Sequence, residues 1–239
     1  MALALWREVG NRKGEATALA NLATIWQRTG RQEAAKRGFD QAHEIFSELG
    51  NQSAMGFTRV KTAGLHAELG QLQVALQHFG EALSILRAAG DRRLEGVTLA
   101  NMALVIADLG QGEEAERCYV QGLAISRELG DLRSAGIALK NLANLYADTG
   151  RMKLSESCHL QALSLHRQVG NRRFEGLSLC DYALLKLLLG RVDEARQTWR
   201  EGAAILGEVK AKVDLERKTT SMQTACTKEG VPPFDLAGC

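Results

Sequence analysis

The chain has 239 residues, 45% hydrophobic and 24% charged, with 24 glycines and only 2 prolines. Basic residues number 30 and acidic residues 28, so the net charge of +2 lacks the basic excess that a nucleic-acid surface requires. No apolar run approaches the roughly 18 residues of a membrane span; the longest, Ala183 to Leu189, is broken by Lys186. The start also lacks the basic stretch, apolar core and cleavage site of a signal peptide. Nucleic acid and membrane are therefore excluded as partners. The 5 cysteines (Cys118, Cys158, Cys180, Cys226 and Cys239) form no CxxC pair and are odd in number, which indicates a reduced, cytoplasmic chain.

Residues 1–10, MALALWREVG, match QALSLHRQVG at 161–170 and read as a second helix without its first. Gly10 opens a series that continues at Gly30, Gly50, Gly70, Gly90, Gly110, Gly130, Gly150, Gly170 and Gly190. Glycine just past a helix end is the favoured left-handed cap. Every second one is followed by Asn11, Asn51, Asp91, Asp131 or Asn171, residues that suit a helix N-cap. The pattern is helix, glycine stop, helix, glycine stop, with a true period of 40 residues. It predicts five helix pairs, at 11–50, 51–90, 91–130, 131–170 and 171–210. Apolar residues recur at helical spacing within each segment. Leu19, Leu22, Ala23 and Trp26 form one stripe, and Ala35, Phe39, Ala42, Ile45 and Phe46 the next. Residues 211–230 hold a C-terminal capping helix, with Asp214 as its cap and with Glu216, Arg217, Lys218, Thr219 and Thr220 facing water. Pro232 and Pro233 then end regular structure, leaving 231–239 as a flexible tail.

Second helices carry a small residue followed four positions later by an aromatic: Ala35/Phe39, Ala75/Phe79, Ala115/Tyr119 and Ala195/Trp199, with Ser155/His159 as the weak copy. First helices carry Leu19, Leu22, Ala23, Trp26 and again Leu139, Leu142, Ala143, Tyr146. This recurring pattern resembles the tetratricopeptide signature over roughly residues 1–210. It departs from the usual unit of about 34 residues. The longer period is similar to the arrays of LGN-like polarity proteins and kinesin light chains, and more so to the C-terminal arrays of bacterial signal-transduction ATPases and transcriptional regulators. The resemblance implies an all-α fold: a tetratricopeptide-type right-handed α-solenoid of antiparallel helix pairs with a C-terminal capping helix. It further implies that first helices line a concave groove.

In that groove the 40-residue register aligns Asn21, Lys61, Asn101, Asn141 and Asp181 as one row. Asparagine donates and accepts, so such a ladder can hold the backbone of an extended peptide. Four residues earlier lie Thr17, Phe57, Val97, Ile137 and Leu177, a mostly apolar floor. Seven residues later come Arg28, Glu68, Asp108, Asp148 and Leu188, acidic in the middle. The expected occupant is a protein or peptide segment with apolar anchors and some basic residues. Lys140 and Asn144 stand at the spacing of the carboxylate clamp used by chaperone-binding members of the fold. The next repeat has Cys180 and Leu184 where the clamp needs basic or amide side chains, so the clamp is incomplete. Repeat 2 diverges most, with Arg59, Lys61, Thr62 and His66 in place of apolar or amide residues.

No phosphate-binding loop, strand-linked GxGxxG, HExxH or GxSxG is present. The histidines, His43, His66, His78, His159 and His166, lack partners at metal-ligand spacing. No cofactor, metal or catalytic residue is expected. The sequence thus points to a protein-binding scaffold or sensor module and not to an enzyme. The alternative is a structural module that self-associates, or meets a covalently linked parent domain, through the bare N-terminal helix around Leu3, Leu5 and Trp6.

Overall fold

The computed structural model describes residues 2–234, and among them it holds helices and no strand. The helices are α1 (Ala2–Glu8), α2 (Arg12–Arg28), α3 (Gln32–Glu48), α4 (Gln52–Glu68), α5 (Leu72–Ala88), α6 (Arg92–Asp108), α7 (Gly112–Glu128), α8 (Leu132–Asp148), α9 (Met152–Gln168), α10 (Arg172–Leu188), α11 (Val192–Glu208) and α12 (Lys212–Lys228).

Each junction is the same three-residue device. At the first full one, Gly30 takes φ 76°, a conformation that costs glycine little because it has no Cβ. The Gly30 N–H donates to the Gln27 carbonyl at 3.1 Å and the Arg31 N–H to the Trp26 carbonyl at 2.8 Å. These two bonds satisfy carbonyls that the helix end leaves open. Arg31 is then the N-cap of the next helix. Asn11, Asn51, Asp91 and Asp131 each accept a backbone N–H in the first turn of a first helix. Asn171 holds the same place without that bond. At α12 the N-cap is Ala211 and not Asp214, which lies in the first turn and binds Arg173 instead.

The chain divides into two compact units, residues 1–125 and 126–239, with the boundary inside α7. In unit 1, α2 packs on α3 and α4 on α5; in unit 2, α8 packs on α9 and α10 on α11. The small and aromatic positions meet as the pattern requires. Ala35, Phe39, Ala75, Phe79, Ala115, Tyr119, Ala195 and Trp199 are all buried. Ser155 and His159 fill the same place in α9, also buried. Cys118, Cys158, Cys180 and Cys226 are free thiols. Phe234 is buried against the α10–α11 core, so the start of the expected flexible tail is packed; residues 235–239 lie outside the described residues.

Two features with an 80-residue spacing lie over the 40-residue repeat. Glu15, Glu95 and Glu175 are buried carboxylates, each held by a pair of arginines: Arg7 and Arg12, Arg87 and Arg92, Arg167 and Arg172. The intervening repeats have Met55 and Ala135 there. In the same repeats 3 and 5 the paired helices touch through glycine. A methyl group at Gly122 would lie 2.9 Å from the Gly96 carbonyl oxygen, and one at Gly202 2.9 Å from that of Gly176.

Gly202→Ala should therefore cost about 1–3 kcal/mol through overpacking. Gly80→Ala, at an exposed helical position with open space around it, should stabilise by about 0.5–1 kcal/mol. Urea titrations of the two variants against wild type check both signs.

Candidate functional site

In unit 1, the first helices α2, α4 and α6 frame a cavity of about 610 Å³. That volume lies within the usual range for ligand pockets, roughly 300–1,000 Å³. Thr17 and Asn21 of α2, Ser53, Ala54 and Phe57 of α4, and Arg93 of α6 contribute to its wall. Asn21, Thr17 and Phe57 stand where the groove rows place them. Lys61, one turn beyond Phe57, holds its ammonium 5.3 Å from that ring's centre. This cation–aromatic contact absorbs part of the divergence seen in repeat 2. Val97 and Asn101 follow on α6, both half-buried.

Glu68 and Asp108 of the expected acidic row are not part of this cavity's wall. Glu68 and Asp108 are exposed at the far ends of α4 and α6. Glu68 lies eleven residues from Phe57, about 16 Å along a helix. Arg93 and Asp91 both stand in the wall, and Lys61 lies one turn beyond Phe57, so charges of both signs are near. Arg93 belongs to a register that also contains Lys13, Ser53, Arg133 and Arg173, a row visible in the 40-residue alignment but not singled out from sequence.

A second cavity of about 590 Å³ adjoins the first through Thr17 and Asn21 and runs over α1 and α2 past Leu3, Trp6, Leu22 and Ile25. Trp6 is 37% exposed and Ile25 54%. Trp6 lies over Gly14, where an added methyl would come within 2.7 Å of the indole.

Unit 2 treats the same rows differently. Asp181 is buried, with its side chain only 4% exposed, and it is surrounded. Lys140 Nζ lies 3.5 Å from Asp181 Oδ2, Asn144 Nδ2 donates to the same oxygen at 3.3 Å, and Lys218 of α12 binds Oδ1. Burial alone would raise the Asp181 pKa, but the charges of Lys140 and Lys218 outweigh it and hold the carboxyl below its ordinary range. Burial conversely pulls the Lys140 pKa down, against the attraction of Asp181. The half-clamp of Lys140 and Asn144 is thus occupied by the chain's own carboxylate. Lys218, expected to face water, turns inward, because α12 sets it over the only unmatched oxygen of a buried carboxylate. Nothing in the sequence spacing pairs Lys218 with Asp181.

The remaining expected groove residues of unit 2 scatter. Ile137 and Asn141 are half-buried, Asp148 is exposed, and Leu177 is in the core with Cys180, Ala183 and Trp199. Leu177 is therefore not a surface that a partner can reach.

The buried histidines of α9 do not bridge to the site by hydrogen bonds. His159 packs against Tyr182 at 5.6 Å and His166 against Phe174 at 5.7 Å. Burial lowers both pKa values from 6.5 to about 4. Among the described residues no group of His, Cys, Asp and Glu is arranged to hold a metal ion, and no helix is long and apolar enough to cross a membrane.

Residues 134–207 match the family model for the tetratricopeptide repeat. No curated protein matches the sequence. Among solved structures, BtubC (BKLC) from P. vanneervenii superposes with a TM-score of 0.75 at 16% identity, over 87% of this chain and 88% of that one. The apo form of RapI gives 0.76 at 14% identity, over 90% and 77%. Aspartyl phosphate phosphatase F from Bacillus subtilis gives 0.71 at 19% identity, over 94% of this chain and 63% of that one. At these identities the likeness establishes the fold: all-α, built of tetratricopeptide-type helix pairs.

The α9 histidines generate a pH prediction. Well above pH 6.5 they are neutral folded or unfolded and contribute no pH dependence. As pH falls from 6.5 toward 4, the unfolded chain binds protons that the folded chain cannot, so stability is lost, by up to about 3 kcal/mol per histidine. His159→Phe/His166→Leu copies Phe79 of repeat 2 and Leu206 of repeat 5 at the matching places. It should flatten the fall in urea midpoint between pH 6.5 and 4.

Proposed function

Starting from a tetratricopeptide-type fold, we propose that the chain is a protein-binding module whose working surface is the first-helix face of unit 1. The observation that carries this reading is the cavity between α2, α4 and α6, with Phe57 exposed to it and Asn21 at its edge. A half-buried aromatic in a concave site is the usual anchor point of an interface. Asn21 supplies both a donor and an acceptor for a bound backbone. Arg93 and Asp91 in the wall and Lys61 beside Phe57 carry both signs of charge, so the occupant is a segment with one large apolar side chain flanked by polar or charged ones. On this reading the chain acts by holding its partner.

A second reading, self-association, rests on the apolar surface of Leu5, Trp6, Val9 and Ile25 at the N-terminal end, each at least 37% exposed. Sedimentation velocity separates the two: a dimer that Trp6→Glu converts to monomer supports this second role.

For the main reading, random displayed peptides are selected on the wild-type chain and affinities measured on the hits. Phe57→Ala should weaken them at least tenfold, the scale of a hot-spot truncation. Arg93→Glu should change which charges are selected beside the apolar anchor. Circular dichroism first establishes equal helicity. Hits that bind Phe57→Ala and Asn21→Ala as tightly as wild type would place the site elsewhere.

A further inference from the structure

The last helix differs from every other in how it is held. At each earlier junction a glycine takes the positive φ; before α12 that residue is Lys210, at φ 55°. Lysine there carries backbone strain that glycine avoids. The helix itself is a weak one. Its N-cap, Ala211, makes no side-chain bond. Thr219, Thr220, Ser221, Thr224 and Thr227 turn their hydroxyls back onto carbonyls four residues earlier, a habit of residues with low helix propensity.

Its apolar hold is short, limited to Met222 and Cys226 with Leu215 and Ala225 partly buried, and to Phe234 just beyond the helix, which would lift with it. Only Asp214, Met222 and Cys226 of α12 are buried, whereas α10 buries a continuous run from Glu175 to Ala183. Charge supplies the rest: Lys218 on Asp181, and Asp214 between Arg173 and Arg217. The Lys218–Asp181 pair is buried and fixes a geometry while adding little net stability, because desolvation offsets attraction; Arg173 and Arg217 are more than half exposed, so their pairs with Asp214 are worth little as well. Beneath lies Trp199, fully buried with its indole N–H lacking a hydrogen-bond partner, a group that gains from contact with water.

We propose that α12 is a releasable strap over unit 2, hinged at Lys210 and latched by Lys218 on Asp181, which lifts while α8 to α11 remain folded. Lifting bares Asp181 together with Lys140, Asn144 and the apolar surface around Trp199 as one patch. The inference is independent of the unit 1 groove, since no residue of that groove takes part.

Native-state hydrogen exchange on the full chain, read by mass spectrometry, tests it without any ligand. Amides of 212–228 should exchange at least 100-fold faster than those of α10, by an opening that leaves α8 to α11 protected. Lys210→Gly, which makes the hinge like all the others, should slow exchange of α12 about fivefold, and Lys218→Met should speed it about tenfold, on the usual scale of such strain and charge-pair effects. Lys140 remains beside Asp181 in the second variant, so the fold is kept. Exchange of α12 in step with α8 to α11, or a strap rate that Lys210→Gly does not slow, would overturn the proposal.

Discussion

A left-handed turn every twenty residues is the constraint on which the rest of this molecule depends. A helix that must reverse direction within three residues needs one backbone position with positive φ, and glycine supplies it at each junction from Gly10 to Gly190. Because the turn is short, one residue closes the helix behind it and caps the helix ahead. Arg31 does both, bonding back to Trp26 and accepting from Ala35. Helix length is thereby fixed at 17 residues from α2 to α12, and every later regularity inherits that register. Small residues face the neighbouring helix at the same height in each pair, and aromatic side chains fill the space beside them.

Upon that uniform frame the side chains draw two different surfaces. In unit 1 the polar row is open: Asn21 borders two cavities and Lys61 covers Phe57 without closing it off. In unit 2 the last member of the equivalent row is used internally. Asp181 collects Lys140, Asn144 and Lys218, and Leu177 sinks into the core. A buried carboxylate must be matched or neutralised, so once aspartate replaces asparagine at this place its neighbours are committed to it. The same substitution that makes unit 2 self-sufficient leaves unit 1 as the face with unspent hydrogen-bonding capacity.

Much of the fold was legible because its signals are local. Gly at fixed spacing, Asn or Asp after it, and the Ala35/Phe39 pattern each depend on a few neighbouring residues. The caps at Asn11, Asn51, Asp91 and Asp131 followed from the same logic. Features set by contacts between distant positions were not legible. The pairing of Lys218 with Asp181 spans 37 residues and depends on how α12 settles. Averaging over a 40-residue period hid the 80-residue alternation, in which Glu15, Glu95 and Glu175 gain two arginines while Met55 and Ala135 need none. The row of Lys13, Arg93, Arg133 and Arg173 was present in the alignment, yet its bearing on the groove depended on seeing Arg93 at the cavity wall. Asp214 read as a cap because of its residue type; the nearby Arg173 drew it into an ion pair instead.

The central claim is that partners meet the first-helix face of unit 1. The most direct measurement places a photoreactive benzoylphenylalanine at position 57 in one sample and at position 160, an exposed site on a second helix of unit 2, in another, each irradiated with a peptide selected on the wild-type chain that carries one large apolar side chain. The account predicts a cross-link from position 57, blocked by excess unlabelled peptide, and none from position 160. Equal cross-linking from both positions, or capture at position 160 alone, would contradict it.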